Sequence, residues 1–440
     1  MRKKKLLIAP LLFLLQLPAE ALTVPDTLLL TLPTALDIAL RENPTMQVAD
    51  KEIALKQVAD KETWQNLLPE VQIGSRLEHT LQAAEMKLNG MKFKMGEDGT
   101  NTANAALSVN LPLFAPSLYK AMSISKTDIE LAVEKARATK QDLINQVTKA
   151  YYQLLLAQDS YEVMQKSYAV AEENFRIVAA KFEQGKVSEF DKITAEVQLG
   201  SIRPNVVSAG NAVQLSALQL KVLMGLTEEE IKIKDNLARY EGKVYTSQQE
   251  EADNGLENNS TLRQFTHNRE LLEKNIKLQR MNFLPTLSMS FNYQYQSIYN
   301  EDINIFSYDW TGSSTLLFNL NIPLYRARNF TKMRTAKLQL QQLDWNRKDV
   351  ERKLDMQVKS YRNSMEASAA QLTSNRKNIV QAEKAVMIAS KRYEVGKGTV
   401  LELNNSQVAL TQAQLVYNQA IYDYLIAQAD LNKVLGKERE

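Results

Sequence analysis

Length, composition and charge narrow the classes of protein to which this chain can belong. The 440 residues contain no cysteine, and 54 lysines and arginines stand against 51 aspartates and glutamates. Without Arg2, Lys3, Lys4, Lys5 and Glu20, all within the first 21 residues, 50 residues of each sign remain. This balance excludes the basic surface that nucleic acid binding needs, and the lack of cysteine excludes disulfides and lipid attachment through a cysteine.

The first 21 residues, MRKKKLLIAPLLFLLQLPAEA, have the layout of a secretory signal peptide. A basic start precedes an apolar run, and Ala19 and Ala21 form a small-x-small end. We expect cleavage near Leu22 and export of the mature chain. A membrane anchor is the alternative, but the apolar run is shorter than the ~20 residues that span a bilayer.

The next stretch predicts a helix followed by a β-hairpin. Apolar residues from 32 to 64 recur broadly at helical spacing, with a break expected at Asn43-Pro44. The period then changes to two, and alternating apolar and polar residues predict a β-hairpin over about residues 70–114. Its two strands are joined by a polar, glycine-bearing loop at 82–103.

A heptad seam follows, and it organises the rest of the chain. Its apolar residues are spaced by alternating fours and threes: Leu143, Val147, Ala150, Leu154, Ala157, Tyr161, Met164, Tyr168, Ala171, Phe175, Val178 and Phe182. A period of 3.5 held this long predicts a helix that supercoils against a partner along its length. Gly185 interrupts the seam and a second seam follows from Leu199 to Leu223. We therefore predict an antiparallel helical hairpin over about residues 116–225, with a first arm of roughly 100 Å.

The same plan then occurs a second time. From Pro112 and Pro323 onward the two halves align with a constant offset of 211 and no gap. Such an internal duplication predicts two structural units of the same design. We predict a first repeat at 22–225, a linker at 226–258 with a short strand at 231–233, and a second repeat at 259–440. Within the second repeat the β-hairpin covers about 286–325 and the long helical hairpin about 327–436.

The four predicted strands point to a membrane. Each has about the ~9–11 residues of a tilted membrane-spanning strand, with one apolar and one polar face. The alternation runs on to Leu81 in the first strand and to Leu324 in the fourth. An open sheet cannot sit in a bilayer, so other copies of the chain must complete it. Three copies would give twelve strands and room for a channel. The alternative to a membrane barrel is a sheet in a soluble protein.

These features resemble the TolC family of bacterial outer membrane efflux proteins. The likeness rests on the duplication, on the Asn-[Leu/Phe]-Leu-Pro motifs before each strand pair, and on the turn sequences at 181–185 and 392–396. It implies a mainly α fold with a transmembrane β-barrel portion, namely a homotrimer with one twelve-stranded barrel in the Gram-negative outer membrane and an α-helical periplasmic tunnel. It also implies a passive conduit, neither an enzyme nor a cofactor protein, that works with a periplasmic adaptor and an inner-membrane efflux pump or ABC exporter.

The resemblance implies a gate at the periplasmic end of the tunnel. On the matching positions Asp191 and Tyr393 are retained, which predicts a hydrogen bond between them. The arginine that often joins this link falls on Gly398. Of two acidic ring positions, one is Glu402 and the other is Asn405, so the ring carries half of its usual charge.

The resemblance also implies a docking surface for the adaptor at the two helical turns. The turn glycines correspond to Gly185 and Gly396. The residue after each is usually apolar in the family but is Lys186 or Lys397 here, which predicts a more ionic contact.

Two other classes of protein fit this sequence less well than a channel does. The only histidines, His79 and His267, have no metal-ligand spacing around them, and no nucleotide-binding or nucleophile motif is present, so we predict no catalytic, cofactor or metal site. A trimeric coiled-coil surface or adhesion protein would explain the heptads. It would not explain the four strands, the duplication or the glycine-bearing turns.

Overall fold

The computed structural model describes residues 28–88, 90–227, 230–242, 255–299 and 309–437. The predicted signal peptide and parts of the predicted linker, 228–229 and 243–254, lie outside the described residues. The elements in chain order are β1 (Leu28–Leu30), α1 (Leu32–Glu42), α2 (Pro44–Gln65), β2 (Glu70–His79), β3 (Ala84–Leu88), β4 (Met91–Met95), β5 (Asn101–Phe114), α3 (Pro116–Glu183), α4 (Glu189–Met224), β6 (Ile231–Ile233), α5 (Ser260–Met281), β7 (Thr286–Tyr299), β8 (Thr311–Asn321), α6 (Ala327–Glu394) and α7 (Val400–Val434). None of the described helices is both long and apolar enough to cross a bilayer.

The predicted break between the first two helices is confirmed. Asn43 separates α1 from α2, and its side-chain oxygen accepts a hydrogen bond from the Thr45 N–H at 2.8 Å. Pro44 occupies the first position of α2, where its missing N–H costs nothing. The predicted short strand is confirmed as β6, which pairs in parallel with β1.

One four-stranded antiparallel sheet, in the order β2-β5-β7-β8, contains the strands of both repeats. The register places apolar residues opposite apolar residues across all four strands. Ile73 lies opposite Leu107, which lies opposite Tyr293, and Phe291 lies opposite Leu316. Because side chains alternate along a strand, the residues in between form a second, largely polar face. That face contains Gln72, Arg76, Asn104, Ser108, Asn110, Ser290, Asn292, Gln294 and Asn319.

The two outer strands of this sheet are open. Every residue of β2 and of β8 is exposed in the single chain, including Ile73 at 83% and Phe318 at 61%. Each strand also has one edge that is unpaired among the described residues, where β2 pairs only with β5 and β8 only with β7. Exposed apolar side chains and unpaired backbone groups together mark a sheet that is incomplete by itself.

Three details of the strands differ from the sequence prediction. Leu81 lies beyond the end of β2, and Ile322 and Leu324 lie beyond the end of β8, because backbone pairing stops before the apolar alternation does. The region predicted as a loop folds into a β3–β4 hairpin, in which Met86 lies opposite Phe93 and Gly90 turns the chain with φ of 83°. Each of its strands has only five residues, a length at which alternation is hard to recognise.

The two long helical hairpins are α3–α4 and α6–α7. Both first arms have 68 residues, so each is about 100 Å long. The predicted seams face inward. Val147, Leu154 and Val178 on α3 are at most 2% exposed, as are Leu220 on α4 and Leu431 on α7. The heptad spacing therefore reports the packing of one arm against the other, and of α3 against α7.

The duplication is visible in the way each hairpin ends. Gly225 after α4 and Gly436 after α7 both have positive φ, at 76° and 73°. A Cβ at either glycine would collide with the backbone carbonyl of Glu42 or of Asn258. Next to these contacts Asn43 donates to the Leu223 carbonyl at 2.8 Å and Asn259 donates to the Val434 carbonyl at 2.7 Å. In each repeat an asparagine and a glycine thus connect the second arm of the hairpin, α4 or α7, to the start of a shorter helix, α2 or α5.

Candidate functional site at the helical tips

Two matching turns form the end of the molecule that lies far from the sheet. Gly185 and Gly396 adopt positive φ, at 67° and 74°. In each turn the following lysine closes a six-residue loop, with the Lys186 N–H on the Lys181 carbonyl at 2.9 Å and the Lys397 N–H on the Arg392 carbonyl at 2.8 Å. This is the usual way to satisfy the last carbonyls of a helix, and it requires glycine at the left-handed position.

Each turn leads into a capped helix, but the two caps differ. Ser188 caps α4, and Asp191 at the third helical position accepts hydrogen bonds from the Ser188 N–H at 3.1 Å and from its hydroxyl at 2.7 Å. Thr399 caps α7 and accepts from the Glu402 N–H at 3.2 Å. The Glu402 carboxylate does not complete a capping box. Its Oε2 lies 3.7 Å from Arg392 Nη2.

A small apolar cluster joins the two tips. Val178, Ala195 and Val400 are at most 2% exposed, and Phe175, Val187 and Tyr393 pack around them. These residues come from α3, α4, α6 and α7 and from the first turn. Further along, Asn174 donates to Gln407 at 2.9 Å and Thr411 donates to Ser167 at 3.1 Å. The tips therefore form one packed unit within the chain.

Tyr393 lies in this cluster next to two charged groups. Lys181 Nζ is 4.4 Å from the centre of its ring, within cation–π range. The hydroxyl is buried and has no hydrogen-bond partner among the described residues. Burial, and secondarily the negative charge of Asp191, raise the pKa of Tyr393. The hydrogen bond predicted between Asp191 and Tyr393 is thus not formed in the single chain, where Ser188 binds Asp191 Oδ2 instead.

Arg392 supplies a positive charge that the sequence analysis did not assign. Its guanidinium donates to the Lys397 carbonyl at 3.2 Å and lies beside Glu402. A Cβ at Gly398 would stand only 3.0 Å from Arg392 Cβ and 3.2 Å from the Tyr393 nitrogen. A side chain at position 398 would therefore push Arg392 and the backbone beside it back by a few tenths of an ångström. In the sequence, only the position of Arg392 directly before Tyr393 indicated that its charge belongs to the tip.

The remaining tip residues are exposed. Lys186, Lys397 and Asn405 are solvent-accessible in the single chain, as are Gly185 and Gly396. The tip brings together no trio of histidine, aspartate or glutamate with metal-ligand geometry among the residues that the structure describes. Its chemistry is that of a charged, packed end of a helical rod, suited to closing an opening or to binding another protein.

Comparisons with known proteins agree with this architecture. The family model described as outer membrane efflux protein matches residues 35–226 and 252–437. Outer membrane protein TolC of Vibrio cholerae is 22% identical over 76% of this chain and 76% of its own length. Alkaline protease secretion protein AprF of Pseudomonas aeruginosa is 23% identical over 76% of this chain and 69% of its own length. The structure of CusC superposes with a TM-score of 0.75 at 15% identity, covering 92% of each chain.

These comparisons decide between the classes considered from the sequence. The predicted fold class, with an internal duplication, a barrel portion and long helical hairpins, is confirmed. The alternative of a coiled-coil surface or adhesion protein receives no support from any of them. The relatives are channel proteins rather than enzymes.

Proposed function

This chain belongs to the outer membrane efflux protein family and is an efflux channel of the outer membrane, and on that premise we propose that three copies build one channel. Each copy contributes its four strands to a shared barrel of twelve, and the helical hairpins continue below the barrel as a tunnel through the periplasm. The single observation that carries the proposal is the four-stranded sheet with one apolar face, one polar face and two unpaired edges.

The edges of the sheet require partners. In a bilayer there is no water to satisfy the free N–H and C=O groups of β2 and β8, and each such group costs several kcal/mol. The apolar face gives a surface for lipid, and the polar face lines a wet interior. With four antiparallel strands per chain, β8 of one copy meets β2 of the next in antiparallel orientation, and the ring closes.

The size of the interior sets three as the smallest number of copies that leaves a channel. Eight strands, from two copies, enclose a space that side chains fill, whereas twelve leave room for solute. Closed rotational symmetry makes all three β8–β2 contacts identical, so no edge is left over. The helical arms of about 100 Å then extend the conduit from the membrane.

The conduit itself is passive, and its energy comes from partners. The family model that matches this chain is described as outer membrane efflux protein, and the relative AprF is named for the secretion of alkaline protease. We assign it a periplasmic adaptor and an inner-membrane pump or ABC exporter as partners. The exposed turns around Gly185 and Gly396 are the contact surface for the adaptor.

The lysines of these turns give the adaptor contact its charge. Lys186 and Lys397 follow the two glycines and are exposed, so an adaptor with acidic residues at its own tip fits them. Replacing both by glutamate should abolish capture of the adaptor by the purified channel, because attraction becomes repulsion. Arginine at both positions is the control and should preserve capture. Equal capture by the glutamate variant would contradict an ionic contact.

The function is tested by fractionation and by conductance. The full chain, purified from outer membranes in detergent, should run as a trimer and form large, steady pores in planar bilayers. Deleting the partner pump in the producing cells should abolish export without changing these pores. Purified protein that inserts without conducting would overturn the proposal.

A further inference from the structure

Two neighbouring helices below the sheet bring three metal-ligand side chains together. Glu130 lies on α3, the helix that follows β5, while His267 and Glu270 lie one turn apart on α5, the helix that precedes β7. One ligand atom of each residue lies within 4.8 Å of the other two. The group belongs neither to the tip nor to the sheet, so the channel function does not account for it.

The histidine is oriented toward the two carboxylates. Its Nδ1 lies 3.7 Å from Glu130 Oε2, which is too far for a hydrogen bond. Nδ1 is buried and has no hydrogen-bond partner among the described residues, although the side chain as a whole is a quarter exposed. A buried ring nitrogen without a partner calls for an explanation, and a missing ion is one of the standard ones.

The second glutamate keeps one oxygen available. Lys274 Nζ lies 2.8 Å from Glu270 Oε1, and the Thr127 hydroxyl donates to the same oxygen at 3.3 Å. Among the described residues Oε2 has no such contact, and Lys274 also donates to the Ser123 carbonyl at 3.1 Å.

We propose that Glu130, His267 and Glu270 bind a divalent transition-metal cation of the Zn²⁺ type. One imidazole and two carboxylates are ligands that zinc accepts, and a water molecule would complete a tetrahedral set. In such a set the ligand atoms are about 3.3 Å apart, so these atoms, now within 4.8 Å of one another, would close in by up to about 1.5 Å. The cation would relieve the repulsion between the carboxylates and would tie α3 to α5.

Zinc binding to the purified full-length channel tests the site. Zn²⁺ titration against a competing chelator should give one site per chain, and Co²⁺ should give the visible absorption of a four-coordinate ion. His267→Ala and Glu130→Gln should each weaken Zn²⁺ binding by about 100-fold or more and abolish the Co²⁺ spectrum, since removing a ligand exceeds the ~10–100-fold effect of removing a supporting group.

The second histidine of the chain provides the matched control. His79 lies in β2 and contacts Asn101 at 2.7 Å, far from the three ligands in the sequence and on a different element. His79→Ala should leave the Zn²⁺ affinity and the Co²⁺ spectrum unchanged. Unchanged Zn²⁺ binding by His267→Ala would overturn the site. So would a wild-type chain without Zn²⁺ affinity, because the three side chains would then be neighbours on two packed helices and not a set of ligands.

Discussion

At the scale of single residues, the tip uses one helical position in two ways. Asp191 and Glu402 both stand at the third position of the helix that follows a turn. The shorter aspartate reaches back to its own cap, whereas Glu402 reaches the neighbouring helix and pairs with Arg392. Of these two acidic side chains Glu402 is therefore the one that is not committed to a cap, which fits the gate role that the family resemblance implies.

Glu402 should control the passage of ions. If three copies form a ring at the narrowest point, Glu402→Gln removes three charges and should lower cation selectivity and weaken block by multivalent cations. Glu402→Asp is the matched control, because it keeps the charge and should keep both properties. Single-channel recording in planar bilayers gives the measurement. Selectivity that is the same in Glu402→Gln and in the wild type would rule out the ring.

The carboxyl of Asp159 should make the stability of the chain depend on pH. It accepts a hydrogen bond from the Leu237 N–H at 2.9 Å, and burial is the main cause that raises its pKa. Because the pKa of this carboxyl is higher in the folded state than in the unfolded state, its contribution to the free energy of unfolding is fully present at low pH. That contribution is lost as the pH rises through the folded-state pKa.

The effect is isolated by Asp159→Asn, which keeps an acceptor and removes the charge. The thermal midpoint of the wild type, measured relative to this variant, should fall as the pH rises above about 4, the ordinary pKa of an aspartate. Asp355→Asn, at an exposed position of α6, should show no such trend. A constant difference between wild type and Asp159→Asn as the pH rises would show that the carboxyl does not titrate differently on unfolding.

At the scale of elements, the apolar periodicity predicted most helices and strands, which depend on residues close in the sequence. It missed the contacts between separate helices. The seam of α3 could be recognised because each of its residues repeats the same environment, and its buried members confirm it. The β3–β4 hairpin was missed because its strands are short. Arg392 and the Glu130–His267 pair were missed because spacing within one helix carries no information on which other helix lies beside it. The division of the chain into repeats at 225 and 259 stays a prediction.

The turn glycines give a direct test at this scale. Gly185 has φ of 67° with open space around it, so Gly185→Ala isolates the backbone strain and should cost about 1 kcal/mol. Gly200 lies inside α4, has no positive φ and also has open space. Gly200→Ala should stabilise the chain by up to about 1 kcal/mol. Thermal unfolding of the two variants measures both effects, and equal shifts of the same sign would contradict the assigned turn.

At the scale of the whole molecule, the assembly rests on contacts between β8 and β2. The chain has no cysteine, so introduced cysteines are the only ones that a thiol cross-linker can join. Gly74→Cys in β2 combined with Thr315→Cys in β8 should give a ladder that ends at three chains. Gly74→Cys combined with Ala106→Cys, its directly paired residue on the inner strand β5, is the control and should give cross-links only within a chain. A ladder that ends at two chains, or continues past three, would contradict the proposed trimer.

The open edges of the sheet also have a genetic consequence. Since no copy can finish the membrane wall alone, each finished pore mixes whatever subunits the cell makes at that moment. A variant that joins the ring but jams the tip would spoil most pores even when a normal gene is expressed beside it. Such a variant would be dominant over the normal gene, whereas one that cannot join the ring would be recessive.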